Sequence, residues 1–268
     1  FDGETVLQET MIIKVRKDSI RPKKIRISSS ETSDFSDLRY IDVDYDTVVS
    51  NNGYVYLVTN EKEAKVLSTL GKLPFTLVSD NLRMKTGIIV DFRTREVLRN
   101  EPSNDTYPLF YSQHIKGGRV VWPVGKEHEF IDTDRMGYLQ ENTNYLFVKR
   151  FTAKEEKRRL QCGIYLSKSQ PAYSTISTQN KINFIDSDIN ELSETTVYGL
   201  YVLFNSTLYD RYYRILNGST QVNSTEINSI PVPSLENINM LGKKLIELGN
   251  ITEINCDSIL GSFINDKN

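Results

Sequence analysis

The sequence is poor in the residues that most often build a fixed chemical centre: two cysteines, two histidines and one tryptophan in 268 residues. Cys162 and Cys256 are too few for a disulfide framework in a chain of this length, so a reducing compartment is expected. His114 and His128 lie fourteen residues apart, with no metal-ligand spacing to each other or to the cysteines, and no metal site is expected. Long apolar runs are missing too. The stretch around 87–90 falls far short of the ~20 residues a membrane helix needs, and no charged-then-apolar leader opens the sequence. A soluble, cytoplasmic protein with no membrane partner is expected. Neither sign of charge dominates: 33 Lys and Arg stand against 35 Asp and Glu, a net charge of −2. That balance argues against a histone-like protein and against an acidic tail. Finally, there is no Gly-x-Ser-x-Gly elbow, no phosphate loop ending Gly-Lys-Ser/Thr and no Gly-x-Gly-x-x-Gly. No catalytic or cofactor-binding residue can be named.

What is present is a β-rich pattern followed by a helical one. Residues 6–17 alternate apolar and polar with β-branched enrichment, a strand signal. The chain opens at Phe1 without Met and enters this pattern almost at once, as a piece of a longer protein would. The polar stretch 28–34 reads as a loop. Residues 37–49 and 53–59 read as strands around Asn51-Asn52-Gly53, a tight-hairpin signal. Spacing then predicts a helix over 61–70, stopped at Gly71, and strands at 86–92 and 118–122. From 194 to 216 apolar residues recur at helical spacing, with an interruption at Asn205-Ser206 and a stop at Asn217-Gly218. A short turn at 225–229 precedes Ile230-Pro231-Val232-Pro233, which must be extended. Ser234 caps a last helix over 235–248, ended by Gly249. The fold class expected is α+β, with a β-rich region at 37–190 and a helical region at 194–250 that contains a Tyr-rich helix and a C-terminal helix.

The even charge balance conceals local stripes. Lys149, Arg150, Lys154, Lys157, Arg158, Arg159 and Lys168 are offset within 144–168 only by Glu155 and Glu156. A second basic cluster runs from Lys14 to Arg26. Such stripes attract phosphate, the sequence-independent part of nucleic-acid binding, although basic residues also protect exposed strand edges. Lys149, Arg150, Lys154, Lys157, Arg158 and Arg159 are candidate phosphate contacts. Gln113, His114 and Arg119 flank a Gly117-Gly118 pair, and Ser219 and Gln221 follow Gly218. Gln and Arg can meet base edges bidentately, so these five are candidate readers, with ordinary loops as the alternative. Tyr198, Tyr201, Tyr209, Tyr212 and Tyr213 suit a helix-packing core better than a base-stacking platform.

Taken in order, several blocks resemble the C-terminal part of the TaqI-like type II restriction–modification methyltransferases, which modify the exocyclic amine of adenine in DNA. They are Thr86-Gly87-Ile88-Ile89-Val90-Asp91-Phe92, Tyr107-Pro108-Leu109-Phe110-Tyr111 with His114, Gly118-Arg119-Val120-Val121-Trp122-Pro123, and the basic stretch from Val148 to Arg159. Gln179-Asn180-Lys181-Ile182-Asn183-Phe184 follows. The strongest block is Leu203-Phe204-Asn205-Ser206-Thr207-Leu208-Tyr209-Asp210-Arg211-Tyr212-Tyr213-Arg214, running into Gly218-Ser219-Thr220-Gln221-Val222-Asn223 and Ile230-Pro231-Val232-Pro233. Residues 6–13 are similar to the last strands of that family's catalytic domain. The resemblance implies residual catalytic-domain strand at 1–27 and a target-recognition domain at 28–268. It also implies double-stranded DNA, an N-terminal methyltransferase domain and a cognate endonuclease as partners. The family's methyl-transfer motif, Asn-Pro-Pro-Tyr or Asp-Pro-Pro-Tyr, is absent, as is the Gly-rich strand–loop that holds S-adenosylmethionine. A parent enzyme using that cofactor is therefore implied, with this fragment inactive alone and holding no cofactor.

Three other classes remain open at this point. A type I restriction specificity subunit shares a comparable helix, Gly-Ser-x-Gln turn and Ile-x-x-Pro ending, but would need a second recognition domain and long spacer helices. A metal-dependent nuclease could use Asp44, Asp46 and Glu63. A protein-docking fragment would never touch DNA.

Overall fold

In the computed structural model, residues 11–17, 20–50 and 53–266 are described. Seven helices are found among them: α1 (Tyr45–Val48), α2 (Glu61–Leu70), α3 (Glu194–Phe204), α4 (Thr207–Leu216), α5 (Ser224–Asn228), α6 (Leu235–Leu248) and α7 (Glu253–Asn265). The five longer ones start on a side-chain cap. Asn60, Ser193, Ser206, Ser234 and Thr252 each accept a hydrogen bond from the backbone N–H three residues on, satisfying a donor the helix cannot. Ser206 is also why 194–216 is two helices. It caps α4 directly after Asn205 closes α3, so the chain turns without leaving helical backbone unpaired.

The fold is α+β, built around a six-stranded sheet. Its order is Leu82–Thr86, Ile182–Ser187, Tyr145–Lys149, Cys162–Tyr165, Arg119–Val120 and Ile115–Lys116. All neighbours are antiparallel except Arg119–Val120, which runs parallel to Cys162–Tyr165. The period of two along a strand divides its side chains between two cores. Leu146, Val148 and Ile185 join the helical core, while Tyr145, Phe147 and Phe184 join a second core with Phe110, Tyr165 and Ile176. Phe110 and Ile176 come from a five-stranded sheet ordered Gln140–Glu141, Thr175–Thr178, Thr106–Phe110, Phe130–Asp132 and Leu98–Arg99. The central sheet thus carries helices on one face and part of a second sheet on the other.

On the helical side α3 is buried from Thr196 to Phe204 and lies against α6. Two glycines allow the approach. A Cβ at Gly199 would run into the Ile238 carbonyl, and one at Gly242 into the Thr195 carbonyl. The Tyr-rich stretch is core: Tyr198, Tyr201, Tyr209, Tyr212 and Tyr213 are all buried, and the Tyr209 hydroxyl donates to Pro231 O at 2.8 Å.

The helices at 61–70 and 235–248 fall where spacing places them, as does the break at 205–206. Other boundaries need correction. Residues 11–17 form no strand and are exposed, and the rest of the expected 6–17 strand lies outside the described residues. The strand Lys24–Ser29 pairs with Arg39–Asp44, so the polar stretch expected as a loop from position 28 begins one residue after the strand ends, at Ser30. The 37–49 stretch becomes α1 after Asp44. The 86–92 strand is instead Leu82–Thr86, followed by a 3-10 turn at Asp91–Arg93. Residues 51–52 of the expected hairpin turn lie outside the described residues, and Val49 and Val55 pair across it. Helical structure does not stop at 250: α7 buries Cys256, Ile259, Leu260 and Phe263. Among the described residues no helix is long and apolar enough to cross a membrane.

Candidate nucleic-acid interface

The basic stretch after the strand Tyr145–Lys149 and the Gly-Ser turn after α4 form one structural unit. Phe151 and Gln221 pair as an antiparallel bridge, Val222 N–H donates to Arg150 O at 2.7 Å, and Thr152 N–H donates to Thr220 O at 3.1 Å. Beneath this lies a polar network centred on the buried Asp210. Asp210 on α4 accepts from Arg159 N–H at 2.6 Å, Leu160 N–H at 3.2 Å and Arg214 Nε at 2.8 Å. Arg214 in turn donates to Lys154 O and Glu156 O, both at 2.7 Å. The i, i+4 pair Asp210–Arg214 therefore grips the 154–160 loop from α4. Within the turn, Asn217 Oδ1 accepts from Ser219 N–H at 2.8 Å, a side-chain turn that fixes the backbone.

The six expected phosphate contacts separate into different roles. Arg159 is removed from that set: it is 1% exposed and donates to Ser219 O at 2.6 Å and Thr152 Oγ1 at 3.2 Å. A guanidinium is buried only when its donors are satisfied, and here they brace the turn instead of facing solvent. Arg158, its side chain 12% exposed, pairs with Glu253 of α7 at 2.9 Å. Lys157 reaches the same carboxylate at 3.2 Å but stays 85% exposed. Lys149 Nζ donates to Gln161 Oε1 at 2.8 Å. Lys154 is exposed, with its Nζ beside Gly218. Arg150 is half-buried, donates to Asn180 O at 3.0 Å and stacks near the exposed Phe151, 5.5 Å from its ring centroid. Lys181, exposed and joined to this unit through its carbonyl, which accepts from Arg150 N–H at 2.9 Å, escaped the sequence reading because it stands outside the charge run.

The five expected readers lie at two places. Ser219 and Gln221 share the unit above. Gln113 and Arg119 lie on and just before the last two strands of the six-stranded sheet, where both are exposed and Arg119 Nη1 donates to the Tyr198 hydroxyl of α3 at 3.1 Å. His114 is removed from the readers, because it is 0% exposed. Its Nδ1 accepts from Tyr111 N–H at 2.8 Å and its Nε2 lies 2.6 Å from Glu129 Oε1. Burial drives His114 below the ordinary histidine value against the opposing pull of Glu129, so the neutral ring donates to a carboxylate. Glu129 also accepts from Val124, Gly125 and Lys126 N–H at 2.7, 2.9 and 3.1 Å. Burial pushes Glu129 up, but the Val124 N–H, the His114 ring and the Gly125 N–H bring it below the ordinary carboxylate value. The pair thus folds the loop at 121–129, and Glu129 is a residue that sequence reading missed.

Among the described residues no three His, Cys, Asp or Glu side chains stand together as metal ligands would. Asp46 pairs with Arg21 at 3.1 Å, and Glu63 accepts from Thr59 N–H at 2.7 Å ahead of α2.

No protein-family model matches the chain. Curated relatives do. The chain is 31% identical to the type II methyltransferase M.PstI of Providencia stuartii over 267 residues, which cover 97% of this chain and 52% of that protein. It is 32% identical to the type II methyltransferase M.BsuBI of Bacillus subtilis over 275 aligned positions, taking in 100% of this chain and 54% of that protein. The chain spans about half the length of these relatives.

Proposed function

We propose that this chain is the DNA-recognition region of a type II restriction–modification methyltransferase that modifies the exocyclic amine of adenine. One observation carries the reading: the similarity to two type II methyltransferases runs along the whole chain yet takes in only about half of each relative. The methyl-transfer tetrapeptide and the Gly-rich strand–loop for S-adenosylmethionine occur nowhere in the 268 residues. These residues therefore do not fit the cofactor, and no step through it is assigned to them. Methyl transfer and cofactor binding belong to a partner methyltransferase domain, and the recognition region alone is inactive. A cognate endonuclease shares the target, and the system works in the cytoplasm.

In this reading Lys149, Lys154 and Lys157 contact phosphate, while Ser219 and Gln221 on one side and Gln113 and Arg119 on the other approach base edges. Phosphate contacts set position and base contacts set sequence. The target adenine then leaves the stack to reach the methyltransferase domain. Two measurements test this. Binding of the purified chain to mixed duplexes should weaken steeply with salt, with a log–log slope of about −0.9 per phosphate neutralised; a flat response overturns the reading. Methylome sequencing of cells with and without the gene should show N6-methyladenine at one short motif, and cytosine methylation alone would overturn the adenine assignment.

A further inference from the structure

Arg150 and Gln221 open onto a cleft of about 280 Å³ whose wall also includes Tyr54, Thr86, Asn223 and Glu226. The backbone of Gln221 is held from several directions. Its carbonyl accepts from the Tyr213 hydroxyl at 3.3 Å, Asn217 Nδ2 at 3.2 Å and Ser219 Oγ at 3.2 Å, and its N–H donates to Ser219 Oγ at 3.3 Å. The side chain is fixed as well. With the carboxamide turned so that donors meet acceptors, Gln221 Oε1 accepts from Arg150 Nη2 at 2.7 Å and Arg150 Nε at 3.2 Å, and its amide NH₂ donates one hydrogen to Asn223 Oδ1 at 3.0 Å. Arg150 supplies donors only, so the amide cannot rotate end for end without setting its NH₂ against a guanidinium.

We propose that Gln221 is a specificity-determining residue that offers its amide N–H to an acceptor edge, guanine O6/N7 above all, and that Arg150 is the positioning residue that fixes this polarity. The inference rests on the recognition function proposed above and deepens it. A free glutamine meets adenine bidentately, accepting from N6 and donating to N7. With its oxygen taken by Arg150 and one amide hydrogen by Asn223, Gln221 keeps a single N–H to offer a base. The major-groove edge of guanine presents two adjacent acceptors, whereas cytosine presents a donor. Arg150 thereby leaves the set of phosphate contacts, because its fork is engaged by Gln221 and by the Asn180 carbonyl. A reader with a saturated backbone and an orienting partner is also the preorganised arrangement that base discrimination requires.

The test is selection from a randomised duplex pool by the 268-residue chain, with sequencing of the bound fraction, for the wild type and for Gln221→Ala, Gln221→Glu and Arg150→Met. The wild type should enrich a motif containing a guanine at which Gln221→Ala loses roughly tenfold or more of its discrimination, other positions staying unchanged. Gln221→Glu, an acceptor-only side chain paired with Arg150, should transfer preference at that position toward cytosine. Arg150→Met should let adenine in beside guanine there, with the overall salt slope unchanged, a signature that a phosphate contact or a merely structural residue would not give. Circular dichroism and thermal melting establish that each variant is folded, and Gln221→Glu carries the test if Arg150→Met is not. A wild type that enriches no motif overturns the recognition function itself. A wild type that enriches a motif left intact by every Gln221 variant overturns this inference alone.

Discussion

Two loops of this molecule present polar side chains to solvent, and they are held by different chemistry. The turn at 217–223 rests on Asp210, Arg159 and Arg214: the Arg159 guanidinium donates to Ser219 O, and Asp210 accepts from the Arg159 backbone N–H and the Arg214 guanidinium. The loop at 121–129 rests on Glu129, which gathers three backbone N–H groups and the ring of His114. Arginine stays charged at every pH a protein meets, whereas histidine changes charge near neutrality. The second loop should therefore loosen in acid as its histidine gains a proton, a response for which the first loop has no histidine.

The sharpest way to break this comparison is at Asp210. Asp210→Ala leaves the buried N–H groups of Arg159 and Leu160 without their acceptor and takes one partner from the half-buried Arg214, a loss of about 3 kcal/mol. Urea unfolding should show the loss as a lower midpoint with an unchanged slope. A cost near zero would mean that the network does not hold the turn. At Glu129 the expected loss is smaller, because the substitution can keep one acceptor oxygen in place. Glu129→Gln leaves one side-chain acceptor oxygen where two serve four donors, at about 1–2 kcal/mol. Equal losses at the two sites would erase the distinction drawn between them.

Smaller still, and more specific, is the response to pH. His114 sits below its ordinary value of 6.5 in the folded protein. As pH falls through 6.5 the unfolded chain gains a proton that the folded chain does not, so stability declines. Glu129, below its ordinary 4.5, contributes stability that is present above 4.5 and lost as pH falls further through its folded value. Melting temperature should therefore drop between pH 7 and 5.5 in the wild type, and the gap between wild type and His114→Gln should narrow over that interval. If that gap stays constant, His114 is not the group that titrates.

Parts of this arrangement were legible in the sequence. Ser206, Ser234 and Gly249 marked helix ends because capping is local chemistry. α7 escaped notice even though Cys256, Ile259, Leu260 and Phe263 have helical spacing, because Asn255, Asp257 and Ser258 give the segment a loop-like composition. The strands were placed less well, since those among the described residues are all two to six residues long and their ends are decided by partners distant in the chain. At the site, both the basic stretch and the Gly218-Ser219-Thr220-Gln221 turn were recognisable, but nothing local states that Phe151 pairs with Gln221. Burial of Arg159 was hidden for a related reason. A guanidinium within a charge run reads the same whether water or the Ser219 carbonyl receives it. The one available signal was the Asp210–Arg214 spacing on α4, and it marks a gripping pair only once the 154–160 loop is known to lie beneath it. His114 was misread because Glu129, fifteen residues away, is what draws it inward.

The smallest effect on stability belongs to Lys154, and it separates holding the turn from using it. The network reaches this residue only through its carbonyl, which accepts from Arg214 at 2.7 Å, so Lys154→Gln keeps that contact and removes an exposed charge. Stability should change by less than about 0.5 kcal/mol. Duplex binding should nevertheless weaken by a similar factor for every sequence, and the salt slope should fall by about one. Lys157 gives the contrast within the same loop. Part of its charge is already committed to Glu253 at 3.2 Å, so Lys157→Gln should lower the salt slope by less. If the two substitutions are equal, the Glu253 pairing does not compete with phosphate. If neither changes the slope, duplex phosphate lies elsewhere, and the exposed Lys181 on the same unit is the next residue to replace.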